Sequence, residues 1–513
     1  MVGGAIIVAW LAGLALLVKR EYFRPQTERL AEAASRVSPG VVYYGVMQGD
    51  QQIGFASSTI DTTTTSIAVH DYYVADIPVG GKARHSAARM NVTLTRAMRM
   101  TDFDLELLSE TAPIVATGHI RGDSVLVLSI ASGNAKPDTQ RIAISGPILL
   151  PTTVPLALAL SETPKVGKHY EMPVFNPASM SASAVSFDVQ AESSFVVNDS
   201  AAFDSTSKRW HGIRPTPLRA WQINAKSTAG FNGWIDEQGR IVQTTQLGFV
   251  LRRLPYEVAF DNWRADRREK AAVTKDRDIL EMTAIAANER LSDRTVSMRV
   301  RLTGVDLHGF DIDGQRQKLS GDTLTIAPPI VWARNAKYLL PMSERDTLNS
   351  RPDALIQSDD PRIVSLAHRI VRNQRNPRAA AFRITQWVYD SLKKQITFGV
   401  PSAIDVLQKR SGDCNEHTQL FVALARAVGL PARIAAGLAL VDGKFFYHAW
   451  PEILLDDWVA VDPTFGQFPA DAAHLRFVIG GVARQTELLR LMGNLKIDVL
   501  SVNYDSREAA ARR

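Results

Sequence analysis

Between about Val41 and Val258 the chain reads as strand after strand, with no helical period between them. Strands joined without intervening helices pair as antiparallel neighbours, so this part is expected to form antiparallel sheet, as a sandwich or a barrel. "VVYYGVMQGDQQIGFASSTID" turns at Gly49-Asp50, and "FNGWIDEQGRIVQTTQ" turns at Glu237 to Gly239. Each is a hairpin signal between alternating residues. The stretch from Pro147 to Gly167, rich in proline and small residues, marks an internal boundary or a crossover between two β halves.

Further along the pattern changes twice. Asn262 to Ala286 is dense in charge and reads as a solvated linker or helix face, and Thr295 to Ala327 resumes β alternation as a small unit. From Ser358 the period becomes helical. Asp360 caps a helix with Pro361 at its first position and Ile363, Leu366, Ile370 and Val371 inward. Asn376-Pro377 starts a second, with Ala381, Ile384, Val388 and Leu392 inward, and Ser402 with Asp405 starts a short third. A chain of 513 residues exceeds what one core usually supports. The expected organisation is an anchor at 1–20, a β region at 41–260 split near 150–167, a linker and small β unit at 261–345, a helical and β domain at 358–482, and a tail at 483–513.

The sole cysteine, Cys414, stands in "SGDCNEHTQLFVALARAVGLPAR". Asp413 is placed as N-cap and Glu416 as its capping-box partner, which makes Cys414 the first helical residue. Leu420, Phe421, Leu424 and Val428 form the apolar stripe, and Gly429 with Pro431 ends the helix near Val428. A thiol at a helix start feels the positive end of the macrodipole, so its pKa is expected to fall when a basic partner is near. On position alone a small buried hydrophobe is the commoner reading of such a cysteine.

That partner is sought in "ARIAAGLALVDGKFFYHAWPEILLDDWVAVDPT". Asp442-Gly443 is a hairpin turn, and a second turn at Asp456-Asp457 leads into "WVAVD", giving three antiparallel strands. Alternation places Phe446, His448 and Trp450 on one face of the middle strand. A strict two-residue turn would set Asp462 opposite Pro451, away from His448. A three-residue turn with Asp457 left-handed pairs Asp462 with Trp450 and puts His448 and Asp462 on one face as diagonal neighbours, which is the expected register. Cys414, His448 and Asp462 then make a nucleophile, base and orienter for acyl transfer, with the first helix amides, including that of Cys414, as oxyanion donors.

"GDCNEHTQLFVALARAVGLPARIAAGL", "HAWPEI" and "WVAVDPT" resemble the core of the transglutaminase-like superfamily, and a looser likeness reaches back to about Asp360. The resemblance implies a papain-like α+β domain, a catalytic Cys414-His448-Asp462 triad and no obligatory cofactor or metal. It leaves open amide hydrolysis through a thioester, transamidation that cross-links proteins, and a non-catalytic binding or assembly role. The family often adds an oxyanion donor upstream of the nucleophile. Trp387 and Tyr389 lie on that side, but Trp387 fits the apolar stripe of its own helix.

Composition narrows the partners. A net charge of +6 with no Lys/Arg run interleaved with aromatics disfavours nucleic acid. His417, one turn after Cys414, makes no closed zinc site with it and reads as a helix-face residue. No P-loop, HExxH or dinucleotide fingerprint occurs. Val2 to Val18 is uncharged and, at ~1.5 Å per residue, covers roughly 25 Å as a helix. It is read as an uncleaved membrane anchor. Lys19, Arg20 and Arg24 argue for a cytoplasmic body, whereas similar bacterial multidomain proteins are extracytoplasmic, the side favoured here. The expected partners are a protein or peptide substrate, the inner membrane, and a protein bound at the β region.

Overall fold

The computed structural model describes residues 37–504 except 110–112, 123, 134–136, 162, 177–180, 226–230, 247, 269–277, 289–294, 329–336, 398 and 492. The anchor expected at 1–20 lies outside the described residues, as does 505–513 of the expected tail. Among the described residues no helix is long and apolar enough to cross a membrane.

The β region is one 14-stranded antiparallel sheet built from two meanders. Eight strands run in order from Gly40–Gln48 to Asp138–Ala143, and six from His169–Asn176 to Phe249–Leu254. The meanders join where Gly40–Gln48 pairs with Phe249–Leu254. The sheet curls until its two ends face one core: Phe103 and Phe175, from opposite meanders, have ring centroids 6.3 Å apart. Leu149 bridges to Val174 across the gap. A barrel-like curl is therefore observed, not a sandwich of two sheets. The Pro147 to Gly167 stretch is the crossover, and its helix Val154–Ser161 is almost wholly apolar because it plugs the interior, with Val154, Leu156 and Leu158 buried.

In the C-terminal body three capped helices, Pro361–Val371, Pro377–Ser391 and Ala403–Lys409, surround the helix Cys414–Ala427. Their caps are Asp360, Asn376 and Ser402, each accepting a first-turn amide. The expected single stripe understates the burial of the fourth helix. Every residue from Glu416 to Ala425 is buried, because helices cover one side and strands the other. Each large apolar side chain so buried contributes about 1.5–3 kcal/mol.

Those strands form a five-stranded sheet. Lys444–Leu454 pairs with Ala432–Val441, which pairs with His474–Ile479; on the other edge of Lys444–Leu454, Ile285–Ala286 and Trp458–Ala460 pair at opposite ends. Asp442 and Gly443, both with positive φ, form the first hairpin turn. The small β unit does not stand alone, and the stretch from 483 is not a free tail. Lys496–Tyr504 pairs with Thr295–Thr303, and Met298, Val300, Ile497 and Val499 share a core with Leu438, Leu475 and Phe477. Apolar alternation on both segments needed a covering layer, and each supplies it to the other. The charged stretch after Asn262 likewise begins docked: Trp263 is buried against Phe55 and Val74 of the β region.

Candidate active site

The capping box forms as expected. Asp413 accepts the amide of Asn415 at 3.0 Å, and Glu416 Oε2 accepts the amide of Asp413 at 3.0 Å. The preceding loop braces it: Thr397 donates from its hydroxyl to Glu416 Oε1 at 2.5 Å and from its amide to Asp413 Oδ2 at 3.4 Å. Because the Asp413 side chain takes the Asn415 and Glu416 amides, the amide of Cys414 is the first-turn donor that this cap leaves for an oxyanion.

Cys414 is partly exposed at the head of this helix. The amide of Ala449 donates to its sulfur, and Thr418 Oγ1, one turn on, donates to the Ala449 carbonyl at 3.1 Å. The helix start is thus fastened to the residue that follows His448. The expected depression of the thiol pKa is not found. Burial pushes it well above the ordinary thiol range, the carboxyls of Asp413, Glu416 and Asp462 act in the same direction, and the Ala449 amide acts against them. Desolvation and the neighbouring carboxyls outweigh the Ala449 amide here.

On the neighbouring strand, His448 Nε2–H donates to Asp462 Oδ2 at 2.7 Å, with His448 8% and Asp462 0% exposed. The Phe465 ring lies on the imidazole at 4.6 Å with an interplanar angle of 2°. The three-residue turn and its register are as expected: Leu454 pairs with Trp458, Glu452 with Ala460, and the Val461 amide donates to the Pro451 carbonyl. The reason differs. Asp457 does not adopt the left-handed conformation; the Leu455 amide donates to its carbonyl at 3.0 Å, and the Trp458 amide donates to its side chain at 2.7 Å.

Asp462 is fully engaged. Its Oδ1 accepts the amides of Thr464 at 2.6 Å and Phe465 at 3.1 Å, and its Oδ2 accepts a second ring N–H, from His474 Nε2 at 3.0 Å. His474 Nδ1–H donates to Asp471 Oδ1 at 2.9 Å. Burial opposes charge on Asp462, yet His448 and His474 hold it well below the usual carboxylate range. Burial likewise opposes charge on His474, but its bonds to Asp462 and Asp471 raise it to about 9.

Sequence reasoning missed His474 and Phe465. The available signal was the alternation in "HLRFVI", which puts His474 and Arg476 on one face of an otherwise apolar strand. Two buried basic groups require carboxylate partners. Arg476 finds Glu452, which also accepts from Arg433, at 3.1 and 2.8 Å.

The remaining candidates have structural explanations. His417 is buried rather than on an open helix face, its Nδ1–H donating to the Asp413 carbonyl at 2.6 Å, and burial lowers its pKa. Trp387 packs on the helical core with the Arg410 guanidinium 4.7 Å over its ring. Tyr389 lies beneath Gly466, with the Lys394 ammonium 3.8 Å from its ring. Among the described residues, His448, Asp462 and His474 bring ligand atoms within 4.8 Å of one another, the spacing of a metal site. The same atoms already satisfy each other as N–H···O bonds, so the cluster is complete with protons alone.

Residues 364–463 match the model of the transglutaminase-like superfamily. No curated protein matches the chain. Among solved structures, a candidate cysteine protease from Cytophaga hutchinsonii is 16% identical over 43% of this chain and 83% of its own, with a TM-score of 0.27. A β-barrel-like protein of the DUF1849 domain from Brucella abortus is 12% identical over 43% of this chain and 96% of its own, TM-score 0.30. The periplasmic domain of TgpA from Pseudomonas aeruginosa, bound to ethylmercury, is 18% identical over 36% of this chain and 87% of its own, TM-score 0.24.

Proposed function

We propose, from a chain that belongs to the transglutaminase-like superfamily through its residues 364–463, that Cys414, His448 and Asp462 cleave peptide or isopeptide amides through a thioester. The observation that carries this reading is the buried 2.7 Å His448–Asp462 bond on a strand whose next residue, Ala449, donates its amide to the Cys414 sulfur.

In the first half-reaction Cys414 Sγ attacks the amide carbonyl while His448 takes the thiol proton. The Cys414 amide donates to the developing oxyanion. Collapse breaks the C–N bond, and His448 returns the proton to the leaving amine, leaving an acyl-thioester. In the second half-reaction water attacks that thioester, His448 accepts its proton, and the thiol and a carboxylic acid are released. Asp462 holds the imidazole in one tautomer, and Phe465 keeps the ring plane fixed.

Hydrolysis is favoured over transamidation because water always competes for a thioester. The apolar Val2–Val18 stretch tethers the enzyme to the inner membrane in this reading, with the body extracytoplasmic and the β region presenting substrate. The test is a peptide-amide library incubated in ¹⁸O-water with excess methylamine, wild type against Cys414→Ala. New carboxylates carrying ¹⁸O, made by wild type alone, support hydrolysis, and methylamine incorporation would point to transamidation. No product in either would favour a non-catalytic scaffold.

A further inference from the structure

The geometry points to a second histidine that governs the first. Resting on the functional reading above, we propose that His474 is a positioning residue: a buried imidazolium that donates from one nitrogen to Asp462 and from the other to Asp471. It thereby shares the Asp462 carboxylate oxygen with His448 and weakens the hold of that carboxylate on the His448 ring.

The hydrogen-bond count requires the charge. A neutral imidazole has one N–H, and ionised carboxylates only accept. His474 places Nε2 3.0 Å from Asp462 Oδ2 and Nδ1 2.9 Å from Asp471 Oδ1. Both bonds form only when both nitrogens carry protons. Asp462 is held ionised by four donors, the rings of His448 and His474 and the amides of Thr464 and Phe465. Asp471 is held by the amide of Ala473 at 3.0 Å and faces Arg316 from the small β unit. Trp450 and Phe465 pack on the ring with centroids at 5.1 and 6.0 Å, and the charged groups that line the same cavity as His474, besides Arg316 and Asp471, are Glu452 and Arg476, paired with each other at 3.1 Å.

The consequence falls on His448. Its ring centroid is 5.7 Å from that of His474, and the two share a single carboxylate oxygen. A cation there both screens Asp462 and repels a proton arriving at His448, two effects of the same sign. His448 then works as a general base that must be neutral to act, and the cation limits how far acid can disable it.

Two readouts test the proposal, one independent of turnover. In ¹⁵N-histidine NMR of the full chain, signals absent from His474→Gln and belonging to a ring with both N–H protons should persist to about pH 8. A singly protonated His474 ring at pH 7 would overturn the proposal even if the enzyme is active. So would stoichiometric zinc that purifies with the protein in place of those protons. In kinetics, His474→Gln should shift the acidic limb of kcat/KM upward by about one pH unit, whereas a merely structural residue would lower the plateau and leave the limb in place. If His474→Gln does not fold, Asp471→Asn removes one of the two acceptors. The ring signals should then lose the second proton at lower pH, and an unchanged titration would contradict the account. Failure to find any substrate would leave the NMR result intact, so the two readings fail separately.

Discussion

Asp462 carries more of the site than its place in a Cys-His-Asp set suggests. It is fully buried and accepts four hydrogen bonds, so its ionisation is tied to folding. Its pKa is depressed in the native state, so the stability it contributes is present above the ordinary aspartate value of ~3.9 and is lost as pH falls from there through the lower native value. His474 works in the opposite sense. With a native pKa raised to about 9, its contribution is complete below the ordinary histidine value of ~6.5 and drains away as pH rises through 9. The denaturation midpoint of wild type minus that of His474→Gln should therefore be constant between about pH 5 and 6.5 and shrink toward pH 9. A difference that grows with pH would show that His474 is neutral in the fold. At the same scale, His448→Ala should lower acyl transfer by at least ~10³-fold, since the base serves both half-reactions. Residual turnover within tenfold of wild type would remove His448 from the chemistry.

Among the secondary-structure elements, the sheet owes its close packing to one missing side chain. Gly437 pairs with His448 on one side and Arg476 on the other, and a Cβ there would lie 2.0 Å from the Leu475 carbonyl oxygen. Gly437→Ala must push two strands apart directly behind the imidazole. It should cost about 1–3 kcal/mol by overpacking and impair activity in the fraction that folds. Gly443→Ala, at the hairpin turn with open space around it, strains only its own backbone. Equal effects of the two on melting temperature and activity would contradict this.

The helix starts and the pairing register were legible because they depend on local chemistry: caps at Asp360, Asn376, Ser402 and Asp413, and a turn length that side-chain alternation constrains. The left-handed Asp457 was a wrong inference from a correct register, since a carboxylate can close such a turn by accepting an amide instead. The thiol pKa was misjudged because desolvation depends on what packs over the helix start. His474 escaped notice because its meaning comes from Asp462 and Asp471 folding back onto it. The partnership of Thr295–Thr303 with Lys496–Tyr504 was hidden by the long chain separation between the two strands.

Across the whole molecule, the β region touches the loop that braces the cysteine helix. Arg84 Nη2 donates to the Ile396 carbonyl at 2.8 Å, next to the Thr397 that bonds both carboxyls of the cap. Ser132 Oγ donates to Asp405 Oδ2 at 3.1 Å on the adjoining helix. A hydrogen bond worth about 1 kcal/mol translates to roughly fivefold in rate, so Arg84→Ala should lower kcat by a few-fold while the KM for a small ester stays unchanged. An unaltered kcat would mean that the β region does not act through this loop. The decisive event in this chemistry is the acylation of Cys414. Its most direct test is intact-protein mass spectrometry of the full chain after brief exposure to an activated acyl ester, followed by peptide mapping. The account predicts one acyl group on Cys414, formed rapidly in wild type, slowly in His448→Ala and not at all in Cys414→Ala. Labelling that is equal in wild type and His448→Ala, or that falls on other residues, would contradict it.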